Sequence, residues 1–144
     1  MVRVLFVCIH NSARSQMAEA FVNHLGETRF HAESAGLEAG KLNMYVVEAM
    51  KEIGLDISAS RTKTVDDVLR SGATFDHLIT VCDGASKERC PFVPGVYHRY
   101  HWDIDDPSEF KGDHDTILKR IRTVRDAIQE RVKKYIKTHQ ASNG

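Results

Sequence analysis

Three cysteines and one arginine carry the reactive chemistry of this sequence. Cys8 ends an apolar run, and Arg14 follows it across the short stretch Ile9-His10-Asn11-Ser12-Ala13. A loop of small and polar residues between a strand and a helix can turn successive backbone N–H groups inward. The helix N-terminus adds partial positive charge, and a guanidinium can hold two oxygens of one ligand in its planar fork. Such a loop suits a tetrahedral oxyanion. The same fields favour an ionised thiol, so Cys8 is expected to serve as a thiolate nucleophile at neutral pH. Ser15 is placed to donate a hydrogen bond to the sulfur, and Asn11 to brace the loop from within. The bland alternative makes Cys8 a small buried residue closing a strand and sets Arg14 on a solvated helix face. By spacing alone the two are evenly matched; the strand, loop and helix around the residues favour the functional reading.

The elements that must position these residues are legible from periodicity. Val2 to Val7 is a nearly unbroken apolar run with β-branched residues, the pattern of a strand buried on both faces of a parallel sheet. From Ser12 onward Met17, Ala18, Phe21, Val22 and Leu25 recur at helical spacing, with Gly26 as the stop. Phe30 to Ser34 reads as a second strand, and Ala35-Gly36 to Gly40 as a turn-rich connection. Val46, Val47, Met50 and Ile53 mark a helix stopped by Gly54, and Asp66 to Leu69 a further short one. His77 to Val81 is a β-branched run ending at Cys82. The polar stretch 82–94 is read as mobile, and Val96 to Trp102 is a weaker strand. Ile117, Ile121, Val124, Ile128, Val132 and Ile136 lie on one face of a long helix, with residues 140–144 as a frayed tail. Strands alternating with helices predict an α/β fold: a single three-layer domain over residues 1–139, with a four-stranded parallel sheet and helices on both faces. Ligands in such sheets collect at the carboxyl ends of strands, where Cys8 and Cys82 both fall.

Composition narrows the classes further. The chain has 144 residues, 42% of them hydrophobic and 28% charged, which fits one core. Twenty basic residues balance twenty acidic ones, so no global field draws the chain to nucleic acid or an anionic membrane. The N-terminal apolar run is too short for a membrane span and lacks the flanks of a signal peptide, so a cytoplasmic location is expected. An odd count of thiols, Cys8, Cys82 and Cys90, fits catalytic or redox cysteines in a reducing compartment better than a disulfide framework. A zinc site from Cys82, Cys90, His98 and His101 has poor spacing and would immobilise two of those thiols. No metal is therefore expected. His10 is expected to point outward from the loop, and Trp102 to serve packing. Lys119, Arg120, Arg122, Arg125, Arg131, Lys133 and Lys134, interrupted by Asp126 and Glu130, read as a solvated helix face.

The segment from Val7-Cys8 through Arg14-Ser15-Gln16-Met17-Ala18-Glu19-Ala20 resembles the signature of thioredoxin-coupled arsenate reductases. These share their fold with low-molecular-weight protein tyrosine phosphatases. Further matches at Ser34-Ala35-Gly36, Glu48-Ala49-Met50-Lys51, Thr80-Val81-Cys82, Cys90-Pro91, His101-Trp102 and Asp105-Asp106-Pro107 extend the resemblance over nearly the whole chain. It implies a low-molecular-weight phosphotyrosine phosphatase-like fold and an oxyanion loop made by Cys8, Ile9, His10, Asn11, Ser12, Ala13, Arg14 and Ser15. It implies Asp106 as general acid, with Asp105 the lesser candidate; on its own the aspartate–proline pair would read as a turn with a helix cap.

What separates the two activities is the fate of the covalent adduct. A cysteinyl phosphate can only be hydrolysed, because phosphorus(V) does not readily accept two electrons. A cysteinyl arsenate can release arsenite when a second thiolate attacks the sulfur, so reduction requires a second, mobile cysteine. Cys82 matches the second cysteine of the resembled family and Cys90 the third. The implied relay forms Cys8–Cys82, then Cys82–Cys90, which thioredoxin reduces with electrons from NADPH through thioredoxin reductase. No bound cofactor is implied, and the setting is arsenic detoxification by a monomer. Two departures stand out: seven residues separate Cys82 from Cys90 where familiar members have six, and Ser108-Glu109-Phe110 replaces the tyrosines that phosphatases usually carry after the aspartate–proline pair. Some reductases of this kind hold potassium through residues aligning with Asn11, Glu19 and Ser34 and a further aspartate. Lys63 stands at that last position, which predicts no potassium dependence. A phosphatase acting through a Cys8 phosphocysteine remains the main alternative, and a non-catalytic oxyanion sensor or thioredoxin-recruiting adaptor the second.

Overall fold

The computed structural model describes residues 1–8, 13–38, 40–82, 96, 98–105, 107 and 110–142. Among these, the chain alternates strands and helices: β1 (Val2–Cys8), α1 (Arg14–Leu25), β2 (Phe30–Gly36), α2 (Met44–Lys51), α3 (Val65–Arg70), β3 (His77–Cys82), β4 (His98–Asp103) and α4 (His114–Ser142). The four strands form one parallel sheet in the order β2-β1-β3-β4. The chain steps from β1 outward to β2 and then returns to the other side of β1 for β3. That reversal is a topological switch point, and it opens a crevice at the carboxyl end of β1. Cys8 is the last residue of that strand, paired in register with Gly36 of β2.

The pleat of β1 divides the core. Val4 and Phe6 point into a large cluster with Met17, Phe21 and Val22 of α1 and Ile121, Ile128 and Val132 of α4. Leu5 and Val7 point the other way, into a smaller cluster with Val65 and Val68 of α3 and Leu78 of β3. A strand buried on both faces has no polar side to present, which is why its sequence does not alternate. Helices lie on both faces, as the periodicity predicted.

Local chemistry sets the helix ends. Asn43 caps α2 by accepting from the N–H groups of Tyr45 and Val46, and Thr64 with Asp67 forms a reciprocal capping box on α3. Gly54, at φ +83°, takes the left-handed turn that ends the α2 region. Gly26 is the C-cap that ends α1, as expected, but without a left-handed turn. Its backbone is right-handed, and a Cβ there would lie 2.7 Å from the Phe30 Cβ, so close approach of β2 is what demands glycine.

Boundaries shift by a few residues from the sequence reading. The helix expected from Ser12 begins at Arg14, and Ile53 lies beyond α2 and is exposed. The last helix extends from its apolar stripe back to His114 and on to Ser142, into the segment read as tail. Periodicity marks only buried positions; the polar turns at either end of α4 carry no such mark.

Candidate functional site

The first turn of α1 gathers three polar side chains that a helix end would ordinarily show to water. Arg14, Ser15 and Gln16 are all buried, Arg14 at 3% exposure, which excludes a solvated-face role for it. Each reaches a different element. Ser15 Oγ lies 2.9 Å from Cys8 Sγ, also buried, and donates to the sulfur when the thiol is ionised. Arg14 Nη1 donates to the carbonyl of Ile104, just past β4, at 3.0 Å. Gln16 Nε2 donates to the carbonyl of Arg61 at 3.1 Å, tying the turn to the chain ahead of α3. Ala13, the N-cap, supplies no side-chain acceptor, so the positive end of α1 is not quenched by its own cap. The Ser15 hydroxyl and the N-terminal end of α1 thus lie beside the thiol at the switch point. Such an arrangement favours anionic groups there.

Further along α1, Glu19 is drawn into the same wall. Burial pushes its carboxyl up to about 7, the Lys63 ammonium opposes that shift, Glu33 reinforces it, and the Ser34 hydroxyl and N–H donate to it. Lys63 Nζ also lies 3.4 Å from Glu33 Oε1. The cluster therefore contains its own cation.

The remaining sequence-predicted residues are placed as follows. Cys82 is the terminal residue of β3, paired in register with Asp103, and Asp105 is exposed. Ile9, His10, Asn11, Ser12, Cys90 and Asp106 lie outside the described residues, as does most of the stretch read as mobile. His101, considered for zinc, faces its cross-strand neighbour Thr80, whose Oγ1 is 2.7 Å from Nδ1. Trp102 is a packing residue, stacked at a tilt on Phe6. One member of the supposed solvated face of α4 is corrected: Arg125 is buried and reaches across to the Ala49 carbonyl at 2.8 Å and Glu52 at 3.0 Å. The helix stripe included a position whose polar head is satisfied by the neighbouring helix. Sequence reasoning also missed Gln16 and Ile104. Only the polar Gln16 beside the apolar Met17 and Ala18 hinted at a buried partner.

The parallel sheet, with a buried thiol at its switch point and a buried guanidinium in the following helix turn, has a phosphotyrosine phosphatase-like fold. The chain belongs to the low molecular weight phosphotyrosine protein phosphatase family, whose pattern it matches over residues 3–143. Among its relatives are arsenate reductases. That of Halalkalibacterium halodurans is 40% identical over 136 residues and that of Bacillus licheniformis 39% over 137, each alignment covering 94% of this chain and 95% of the relative. The arsenate reductase of Archaeoglobus fulgidus superposes with a TM-score of 0.74 at 36% identity, over 93% of this chain and 98% of that one. A thioredoxin-dependent arsenate reductase of Corynebacterium glutamicum gives 0.67 at 30%, over 99% of this chain and 63% of that one. An arginine phosphatase of Geobacillus stearothermophilus gives 0.72 at 25%, over 99% and 95%.

Proposed function

We propose that this chain is an arsenate reductase in which Cys8 attacks arsenate and a Cys8, Cys82, Cys90 relay, emptied by thioredoxin, carries the electrons. The observation behind this reading is the buried Cys8 thiol, bonded to Ser15 beside the buried Arg14, in a chain whose relatives at 35 to 40% identity are arsenate reductases. The oxyanion sits in the loop from Cys8 to Ser15, held by backbone N–H groups and the Arg14 fork.

The Cys8 thiolate bonds to arsenic, and one arsenate oxygen departs as water with a proton from Asp106. The Cys82 thiolate then attacks the Cys8 sulfur. The electron pair of the sulfur–arsenic bond stays on arsenic, which leaves as arsenite, and a Cys8–Cys82 disulfide remains. Cys90 attacks Cys82 in turn, freeing Cys8 and leaving Cys82–Cys90 for thioredoxin, with NADPH as the ultimate donor. Each transfer needs in-line approach of one sulfur to the next, so the stretch between Cys82 and Cys90 must move. The protein acts as a cytoplasmic monomer.

A phosphatase reading shares the first step and diverges when water hydrolyses a Cys8 phosphocysteine; the likeness to an arginine phosphatase supports it. Comparing Cys8→Ser, Cys82→Ser and Cys90→Ser in thioredoxin-coupled arsenate reduction and in aryl phosphate hydrolysis separates the two. The relay predicts that all three lose arsenate turnover, whereas only Cys8→Ser loses hydrolysis. Intact arsenate turnover in Cys82→Ser and Cys90→Ser would overturn the relay. A protein that binds arsenate but turns over neither substrate would be the sensor.

A further inference from the structure

Three consecutive residues open α1, and each bonds to a different part of the sheet. Successive helix positions are turned by about 100°, so Arg14 and Gln16 leave the helix on opposite sides, with Ser15 between them. Arg14 Nη1 donates to the Ile104 carbonyl at 3.0 Å, one residue past β4. Gln16 Nε2 donates to the Arg61 carbonyl at 3.1 Å, at the head of the segment 61–64 that meets the end of β2. β2 and β4 are the outer strands of the sheet, so the helix start is stayed from both edges. Between the two stays, Ser15 Oγ meets the Cys8 sulfur at 2.9 Å. Gln16 is 1% exposed, so a partner lost there is not replaced by bulk water.

The acceptor for Gln16 is itself fixed. The Lys63 carbonyl accepts from the Gly36 N–H at 2.9 Å, Thr64 forms a parallel bridge with Gly36, and Thr62 Oγ1 donates to the Gly40 carbonyl at 2.5 Å. Thr64 then opens α3 through its capping box. Gly36 is in turn the register partner of Cys8. The contacts close a ring: Cys8 to Gly36 by strand pairing, Gly36 to Lys63 by a backbone bond, Arg61 to Gln16, and Ser15 back to the Cys8 sulfur. We propose that Gln16 is a positioning residue that, opposed by Arg14, fixes the roll of the first turn of α1 and so holds the Ser15 hydroxyl on the Cys8 sulfur. The proposal rests on the reading of Cys8 as the nucleophile. A hydroxyl favours an ionised sulfur only while it points at it, and hydrogen bonds weaken steeply with misalignment. A small roll of the helix start is therefore enough to lose the effect.

The test is the pH profile of Cys8 alkylation in the fully reduced protein, with the modified cysteine assigned by peptide mass. Gln16→Met, which keeps the length of the side chain and removes its donor, is compared in the native and the Ser15→Ala backgrounds. Arg14, Glu19 and Lys63 are the same in every variant, so their fields are common to all profiles. The ring predicts that Ser15→Ala moves the midpoint up by about one pH unit and Gln16→Met by about half of that, and that Gln16→Met adds nothing once Ser15 is replaced. An unmoved midpoint in either single variant, whatever its melting temperature, overturns the proposal. So do equal shifts from Gln16→Met in both backgrounds, or the same shift in Ile128→Ala, a core change outside the ring. If Cys8 of the native protein titrates as it does in the urea-unfolded chain, the nucleophile reading fails and the proposal with it. If the native midpoint lies below that of the unfolded chain and Gln16→Met shares it, only the positioning role fails. Should Gln16→Met not fold, Gln16→Asn, an amide one methylene too short to reach Arg61, carries the test.

Discussion

Burial gives two charged side chains of α1 behaviour that their residue types do not announce. Arg14 is enclosed yet bonded to a backbone carbonyl, so its fork is oriented before any anion arrives, which lowers the cost of ordering it on binding. Glu19 is half-buried with Lys63 opposite, and desolvation prevails, raising its carboxyl to about 7. The sign follows directly. A carboxyl whose native value is raised from an ordinary 4.5 holds its proton longer in the folded state. Stability is then full below about 4.5 and declines as pH rises through about 7. Glu19→Gln, which cannot ionise, should raise the melting temperature more at about pH 8 than at about pH 5; equal shifts at both would contradict the burial argument. Lys63 leads to a second expectation. Because an ammonium already serves this cluster, exchanging potassium for choline at constant ionic strength should leave arsenate turnover and melting temperature unchanged. A large recovery on adding potassium would show that Lys63 does not replace the cation.

At the scale of elements, α4 does more than cover the sheet. Its Arg125 satisfies a carbonyl near the end of α2, and its last turns carry Tyr135 and His139 onto the amino end of the sheet, where they meet His77. His77 Nδ1 bonds the Tyr135 hydroxyl, and the His139 ring lies 4.5 Å from both neighbours. Burial lowers the affinity of His77 and His139 for protons. His139 and His98 lower His77 further, Asp76 alone opposes that, and His98 lowers His139. Both rings are therefore neutral in the folded state near pH 7. Depressed values mean that their contribution is full above the ordinary 6.5 and is lost as pH falls through the native values. The fall in melting temperature between about pH 7.5 and about pH 5.5 should accordingly be smaller in His139→Gln than in the parent; an unchanged fall would mean that this cluster does not couple to folding. The stripe of α4 was legible because its buried positions recur with the helical period. The histidine cluster was not, since His77, His98 and His139 are far apart in sequence and meet only through strand pairing and helix docking.

For the whole molecule, the two cores and the site share β1. Val4 to Val7 fill both faces of the sheet, and the next residue is the thiol, so the packing that stabilises the fold also fixes where Cys8 emerges. Ile128, fully buried between α4 and the rest of the larger cluster, tests how separable these are. Ile128→Ala should destabilise by about 2–5 kcal/mol, as large-to-small changes in packed cores do. The half-saturating arsenate concentration should stay unchanged, because the cavity lies on a helix that carries none of the loop. Denaturant unfolding beside a substrate titration checks both, and a large loss of affinity in a still-folded variant would show that the core tunes the loop.

By itself the sequence determined the order and kind of the elements, the single parallel sheet with helices on both faces, and the placing of Cys8 and Cys82 at strand ends. It did so because burial imposes periods of about two and 3.6 residues that can be counted along a chain. It also picked out the Ser15 hydroxyl beside the Cys8 sulfur, since strand end and helix turn are close in sequence. Only the tertiary structure decided what those side chains lean on. That Arg14 is held by Ile104 and Gln16 by Arg61 depends on segments tens of residues apart being brought together. A backbone carbonyl as a partner leaves no trace in residue type, because every residue has one.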